Sequence, residues 1–153
     1  MSFGYGNSGA LGHGNTEDQP TPRLVETLRG EQVVQVSAGG DCSWVLLETG
    51  TALSFGVGHR CCLGHGDTED QLAPKVVEAL WGKRVLQVSA GQSHVLVLLE
   101  GGSVLSFGCD PDTIERPLVP KLQTGIVVEV AAGTSWDCAL LGEDGEGYKS
   151  RPW

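Results

Sequence analysis

Leu11-Gly12-His13-Gly14-Asn15-Thr16-Glu17-Asp18-Gln19 returns 52 residues later as Leu63-Gly64-His65-Gly66-Asp67-Thr68-Glu69-Asp70-Gln71. The surroundings keep the same step. Ser2-Phe3-Gly4 recurs as Ser54-Phe55-Gly56 and again as Ser106-Phe107-Gly108. Val36-Ser37-Ala38-Gly39 recurs as Val88-Ser89-Ala90-Gly91, and Val45-Leu46-Leu47-Glu48 as Val97-Leu98-Leu99-Glu100. Identity holds at 29 of 52 positions between the first two units. Such self-similarity marks a repeat architecture, in which each unit buries its apolar face only against a neighbour.

A third copy is shortened. Ala131-Ala132-Gly133 follows Ser89-Ala90-Gly91 by only 42 residues, so about ten residues of the turn and its acidic neighbour are missing. Asp112-Thr113-Ile114-Glu115 reads as their remnant. The chain therefore divides into a repeat over 2–53, a second over 54–105, a shortened third over 106–148 and an irregular tail over 149–153.

Each unit reads as four short strands. In the second, Lys75-Val76-Val77-Glu78-Ala79-Leu80 follows Pro74, and a proline without an N–H suits an edge strand or a strand start. Arg84-Val85-Leu86-Gln87-Val88-Ser89-Ala90 shows a rough apolar alternation. Val95-Leu96-Val97-Leu98-Leu99 is a continuous apolar run of strand length, which predicts burial on both faces. Glu100-Gly101-Gly102-Ser103 then predicts a hairpin into Val104-Leu105-Ser106-Phe107. Thr49-Gly50 occupies that hairpin in the first unit and Glu143-Asp144-Gly145 in the third. Four strands joined by tight turns are the pattern of a propeller blade. A helical repeat would need a 3.6-residue period, which these segments lack.

Composition agrees. With 153 residues, 40% hydrophobic and 19% charged, the chain suits one domain with a core. Its 23 glycines, about 15% of the residues and without a triplet pattern, point to many tight turns. The net charge of −9 opposes phosphate binding and disfavours direct contact with nucleic acid, while leaving room for a basic partner. No run approaches the ~18 apolar residues of a membrane span. Met1-Ser2-Phe3-Gly4-Tyr5-Gly6 has neither the basic start nor the apolar stretch of a secretory signal. Five cysteines, an odd number, suggest free thiols in a reducing compartment, hence an intracellular protein, cytoplasmic or nuclear. No Cys-x2-Cys pair occurs and Cys61-Cys62 is poorly spaced for one tetrahedral ion, so neither metal nor cofactor is expected.

The order Ser-Phe-Gly, Leu-Gly-His-Gly, proline with an apolar strand, then Val-Ser-Ala-Gly and a buried strand resembles the regulator-of-chromosome-condensation (RCC) repeat. The resemblance covers residues 2 to about 148. It implies a seven-bladed propeller, and roles ranging from exchange factor for the Ran GTPase to accessory module of ubiquitin ligases, plant UV-B photoreceptor and interaction platform. The Gly-Trp-Arg-His-Thr signature of the photoreceptors is absent, which argues against light sensing. Three units cannot close a ring, since the smallest closed propellers have about four blades. The expected fold is all-β: an incomplete β-propeller of about three four-stranded antiparallel blades, with open apolar ends.

Residues with chemistry are sparse. His94 follows Ala90-Gly91-Gln92-Ser93, where the resemblance places a histidine that meets a neighbouring blade or a GTPase; the plainer reading bonds it to a neighbouring backbone. Its counterparts are Cys42 and Trp136, so no ring of histidines is retained. His13 and His65, flanked by glycines, read as exposed turn positions. Glu17-Asp18 and Glu69-Asp70 read as solvated acidic turns able to meet a basic partner, without the pattern of a calcium loop. Gly4-Tyr5-Gly6-Asn7-Ser8-Gly9 imitates a dinucleotide fingerprint but lacks the surrounding βαβ unit. No nucleophile elbow or phosphate loop occurs. Trp81 stands where the first unit has Arg29, and is the leading candidate for a partner contact.

These features predict a non-enzymatic protein–protein interaction module with no catalytic, cofactor-binding or metal residues. Its candidate contacts are Trp81, His94, Glu17, Asp18, Glu69 and Asp70. Two alternatives stand beside this reading. One is a guanine-nucleotide exchange or regulatory factor for a Ran-type small GTPase; the other is a truncated or spliced fragment without independent function. The expected partner is a protein, such as a small GTPase or a basic protein, and not a membrane. Open blade edges also predict assembly with another chain or a second copy.

Overall fold

Sheet formation follows the repeat, but the sheets begin halfway through it. The structure, a computed structural model, describes residues 1–40, 42–59, 61–108, 116–117, 126–134 and 137–142. Twelve strands lie among the described residues: β1 (Ser2–Gly4), β2 (Gln19–Arg23), β3 (Val33–Gly39), β4 (Cys42–Leu47), β5 (Ala52–Gly56), β6 (Gln71–Val76), β7 (Val85–Ala90), β8 (His94–Leu99), β9 (Val104–Gly108), β10 (Arg116–Pro117), β11 (Ile126–Ala132) and β12 (Asp137–Gly142). Two antiparallel sheets are complete, β3-β4-β5-β6 and β7-β8-β9-β10. Two more have only two strands, β1-β2 and β11-β12. By the 52-residue step β1-β2 are the outer half of a blade, and by the 42-residue step β11-β12 are the inner half of another. The fold is the incomplete all-β propeller that the repeat predicts.

The apolar run in β8 is explained by burial on both faces. Val95, Val97 and Leu99 point into a core shared with the preceding sheet, against Trp44, Leu46, Leu63 and Val77. Leu96 and Leu98 point the other way, against Val127 and Val130 of β11. Alternation at period two thus serves two interfaces at once. Each such side chain contributes about 1.5–3 kcal/mol only when it is covered, so a lone sheet of this sequence gains little. The second unit is held because neighbours lie on both sides.

Inner strands approach backbone to backbone. A Cβ on Gly39 would collide with the carbonyl oxygens of Ala90 and Gly91, and one on Gly91 with the carbonyl oxygen of Gly133. This column is where glycine is required for close approach. Side chains then bind the facing strand. Gln35 Nε2 donates to the Val88 carbonyl at 2.9 Å, and its Oε1 accepts from the Val88 N–H at 3.0 Å. Ser37 Oγ accepts from the Ala90 N–H at 2.9 Å. The next junction repeats this: Gln87 binds the Val130 carbonyl at 3.0 Å and N–H at 2.8 Å, and Ser89 accepts from Ala132 at 2.9 Å. A bulge recurs just before each clamp position, between Val33 and Gln35 and between Val85 and Gln87.

Two local expectations are corrected. The strand read over Lys75–Leu80 ends at Val76, and Glu78–Leu80 form a 3-10 turn in which the Leu80 N–H donates to the Val77 carbonyl at 3.0 Å. Pro74 lies inside β6, an outermost strand, where its missing donor leaves no ladder bond unmade. His13 and His65 are half-buried rather than exposed. The turn glycines fold the ring back onto Ser2 and Ser54, at 3.0 Å in both cases. Glycine is needed there: Gly12 has φ +75°, and a Cβ on it would press on the ring of Phe55. The segments Asp112–Glu115 and Glu143–Gly145, with Cys109, Trp136 and Trp153, lie outside the described residues.

Cys42, Cys61 and Cys62 are buried and form no disulfide. Among the described residues no helix is long and apolar enough to cross a membrane, and no cluster of His, Cys, Asp and Glu could hold a metal ion.

Candidate partner-binding groove at Trp81

The turn from β6 to β7 builds this site. After Val76 the backbone enters the 3-10 turn, the Trp81 N–H donates to the Glu78 carbonyl at 3.0 Å, and Gly82 reverses the chain at φ +75°. Trp81 is thereby held at the apex, 68% exposed. Opposite it stands the β4–β5 hairpin, fastened by Val85 N–H donating to the Gly50 carbonyl at 3.1 Å. Between them runs a groove of about 320 Å³, with Thr49, Gly50 and Thr51 on one wall and Trp81, Lys83 and Arg84 on the other. Val77 and Leu80 supply an apolar floor.

Substitution within the repeat created these features. At the corresponding turn of the first unit, Arg29 pairs with Glu26, Nε to Oε2 at 3.0 Å, and satisfies itself locally. Trp81 replaces that arginine, so the second turn presents an indole face instead of an internal ion pair. Glu31 and Gln32 become Lys83 and Arg84 at the same step. Lys83 Nζ donates to the Ala79 carbonyl at 2.8 Å, which fixes its ammonium at the turn. Arg84 lays its stem over Gly50, where a Cβ would come within 2.7 Å of Arg84 Cγ. Both charged residues on the groove walls are therefore cations. Lys83 and Arg84 were missed from sequence, although the change of charge at that step was the signal.

The other sequence candidates stand at the opposite end of the blades. Strand β5 runs from the hairpin at Ala52 to Gly56, which pairs with Gln71 at the start of β6. The Glu69–Asp70 turn thus lies at the far end from Trp81, and Glu17–Asp18 occupies the same place in β1–β2. His94 opens β8 opposite Gly108, also at that end. The structure does not join these residues to Trp81. Asp18 and Asp70 carry structural duties: each Oδ1 accepts a backbone N–H, from Gly6 at 2.9 Å and from Gly58 at 2.8 Å. Glu17 and Glu69 are exposed, and their N–H groups are held by Asn15 at 3.2 Å and Asp67 at 3.0 Å. His94 is half-buried, with its backbone carbonyl accepting from the Gly91 N–H at 2.8 Å.

His65 has a titration altered by the fold. Burial, with the Lys75 ammonium second, holds its pKa below the ordinary histidine value. Ser54 spends its one hydroxyl proton on the Leu63 carbonyl at 2.7 Å, so the imidazole must be the donor, through Nε2–H.

Known proteins share this fold. The regulator of chromosome condensation (RCC1) repeat matches residues 2–46 and 49–98, and a second form of the same repeat matches 85–112. The ultraviolet-B receptor UVR8 of Arabidopsis thaliana is 36% identical over 157 residues, covering 96% of this chain and 36% of the receptor. The crystal structure of human WBSCR16 superimposes with a TM-score of 0.78 at 23% identity, over 92% of this chain and 39% of that one. Prp20p of Saccharomyces cerevisiae, described with its binding to Gsp1p and histones, gives 0.64 at 19% identity, over 91% of this chain and 38% of that one. The chain thus spans little more than a third of the length of each of these three proteins. It belongs to the regulator of chromosome condensation (RCC1) repeat family.

Proposed function

We infer that this chain is a protein–protein interaction module without catalytic chemistry of its own, and that the Trp81 groove is its contact site. One observation carries the reading: an indole 68% exposed at the mouth of an apolar-floored groove whose two charged residues are Lys83 and Arg84. Tryptophan and arginine around a concave apolar floor are what dominate binding energy at protein interfaces. The exposed Glu17 and Glu69 at the far end give a second, acidic surface suited to a basic protein.

The test titrates the whole chain with Gsp1p and with histones, the ligands described for Prp20p. Gsp1p binding weakened at least tenfold by Trp81→Ala, with release of a labelled guanine nucleotide from Gsp1p unchanged, supports the module, and histone binding is expected to respond to Glu17→Lys with Glu69→Lys instead. Gsp1p binding indifferent to Trp81→Ala overturns the groove as the contact. The second reading, an exchange or regulatory factor for a Ran-type GTPase, is favoured by the likeness to Prp20p. Faster nucleotide release at catalytic amounts of this chain would establish it.

A further inference from the structure

We propose that Glu129 and Ala131 make the third inner strand a stop in the stack. The trailing sides of β3 and β7 each accept a following unit of this repeat, and the trailing side of β11 refuses one. The inference is independent of the groove and of its partner.

The evidence is a substitution at otherwise unchanged geometry. Gln35 and Gln87 occupy the same place, and the 42-residue step puts Glu129 there; Ser37 and Ser89 are likewise followed by Ala131. The strand around them is retained. The bulge recurs between Val127 and Glu129, Val127 and Val130 are buried like Val85 and Val88, and Gly133 continues the column of Gly39 and Gly91. Both side chains that would clamp a following strand have changed, and Glu129 and Ala131 are both exposed.

The change removes the chemistry of the clamp. A glutamine amide donates to one carbonyl and accepts from one N–H of the facing residue, as Gln35 does with Val88. A carboxylate only accepts. Glu129 could take the facing N–H, but its second oxygen would lie against the facing carbonyl oxygen with no proton between them. A methyl at Ala131 accepts nothing, so the bond that Ser37 makes to Ala90 has no counterpart. Docking a unit there would also bury an ionised carboxyl without a cation.

A receiving strand for the experiment exists in a second copy of the chain. Val36, the counterpart of Val88, is 71% exposed where Val88 is 1% exposed. Sedimentation equilibrium on the full chain is the measurement. Glu129→Gln with Ala131→Ser is expected to associate head to tail at least tenfold more tightly than the wild type, and adding Val36→Asp is expected to abolish the gain. A double variant with no gain overturns the proposal, as does a wild type that already associates as strongly through a contact sensitive to Val36→Asp.

The reverse transplant reads the same chemistry without any self-association. Gln87→Glu with Ser89→Ala imports the stop into β7, and the Val130 and Ala132 amides are expected to exchange hydrogen at least tenfold faster, with Val97 unchanged. Unaltered protection of Val130 and Ala132 would refute the stop.

Discussion

Trp44 and Phe107 meet across the junction of the two complete sheets, ring centroids 5.7 Å apart and planes tilted by 31°. The indole N–H is satisfied by the Cys62 carbonyl at 3.0 Å, so the pair is dry and complete. Phe107 is fully buried, whereas Phe3, at the same place in the repeat, is 64% exposed. Phe107→Ala is therefore expected to cost about 3–5 kcal/mol, and Phe3→Ala no more than about 0.5 kcal/mol. Urea unfolding of the two variants measures the difference, and equal losses would show that the apolar junction does not dominate stability.

Removal of Gln87 acts through the partners it leaves behind. Val130 is buried, and its N–H and carbonyl have Gln87 as their cross-sheet partner. Gln87→Ala is expected to destabilise by about 2–3 kcal/mol, since stranded buried polar groups cost about 1–3 kcal/mol. Ser89→Ala, which affects one N–H, is expected to cost about half as much. Chemical denaturation with loss of exchange protection at Val130 checks both.

Acid should loosen the turn that holds His65. Its folded pKa lies below the ordinary value because burial and then Lys75 oppose the charge. The unfolded chain therefore takes the proton first, near the ordinary histidine value of 6.5. The stability that neutral His65 contributes is complete above that pH and declines as pH falls from there towards the lowered folded value. His65→Asn should flatten this part of the pH dependence as pH falls below about 6.5. A wild type and variant with parallel profiles would contradict it.

Exposure separates Trp81 from Trp44. Trp81→Ala should change the unfolding free energy by no more than about 0.5 kcal/mol, and Trp44→Ala by about 3–5 kcal/mol. Thermal melts with both variants test this. A large loss at Trp81 would mean that the indole packs for stability rather than for contact.

The fold was legible because one length recurs: identity at 29 of 52 positions fixes strands, hairpins and their order. Trp81 was legible as a departure from the repeat, since a position that loses its Arg29 has left the local ion pair behind. Other features needed coordinates. Gln35 and Ser37 look like ordinary polar residues of a strand, and their partners lie 53 residues away. The joint recurrence of Ser2 with His13 and Ser54 with His65 was a signal for their bonds, but a gap of 11 residues announces no contact until glycine turns the loop back. Asp18 and Asp70 are exposed as their turns suggest, but the backbone N–H that each accepts leaves no trace in composition.

The glycine column also explains where this protein tolerates editing. Successive sheets touch where Gly39 meets Gly91 and Gly91 meets Gly133, with no room for a methyl on Gly39 or Gly91, so the inner strands keep one gauge. The third copy, about ten residues short by sequence, still meets this column at Gly133. One unit of this chain is thus shortened in its treads, as in a winding stair whose newel stays fixed.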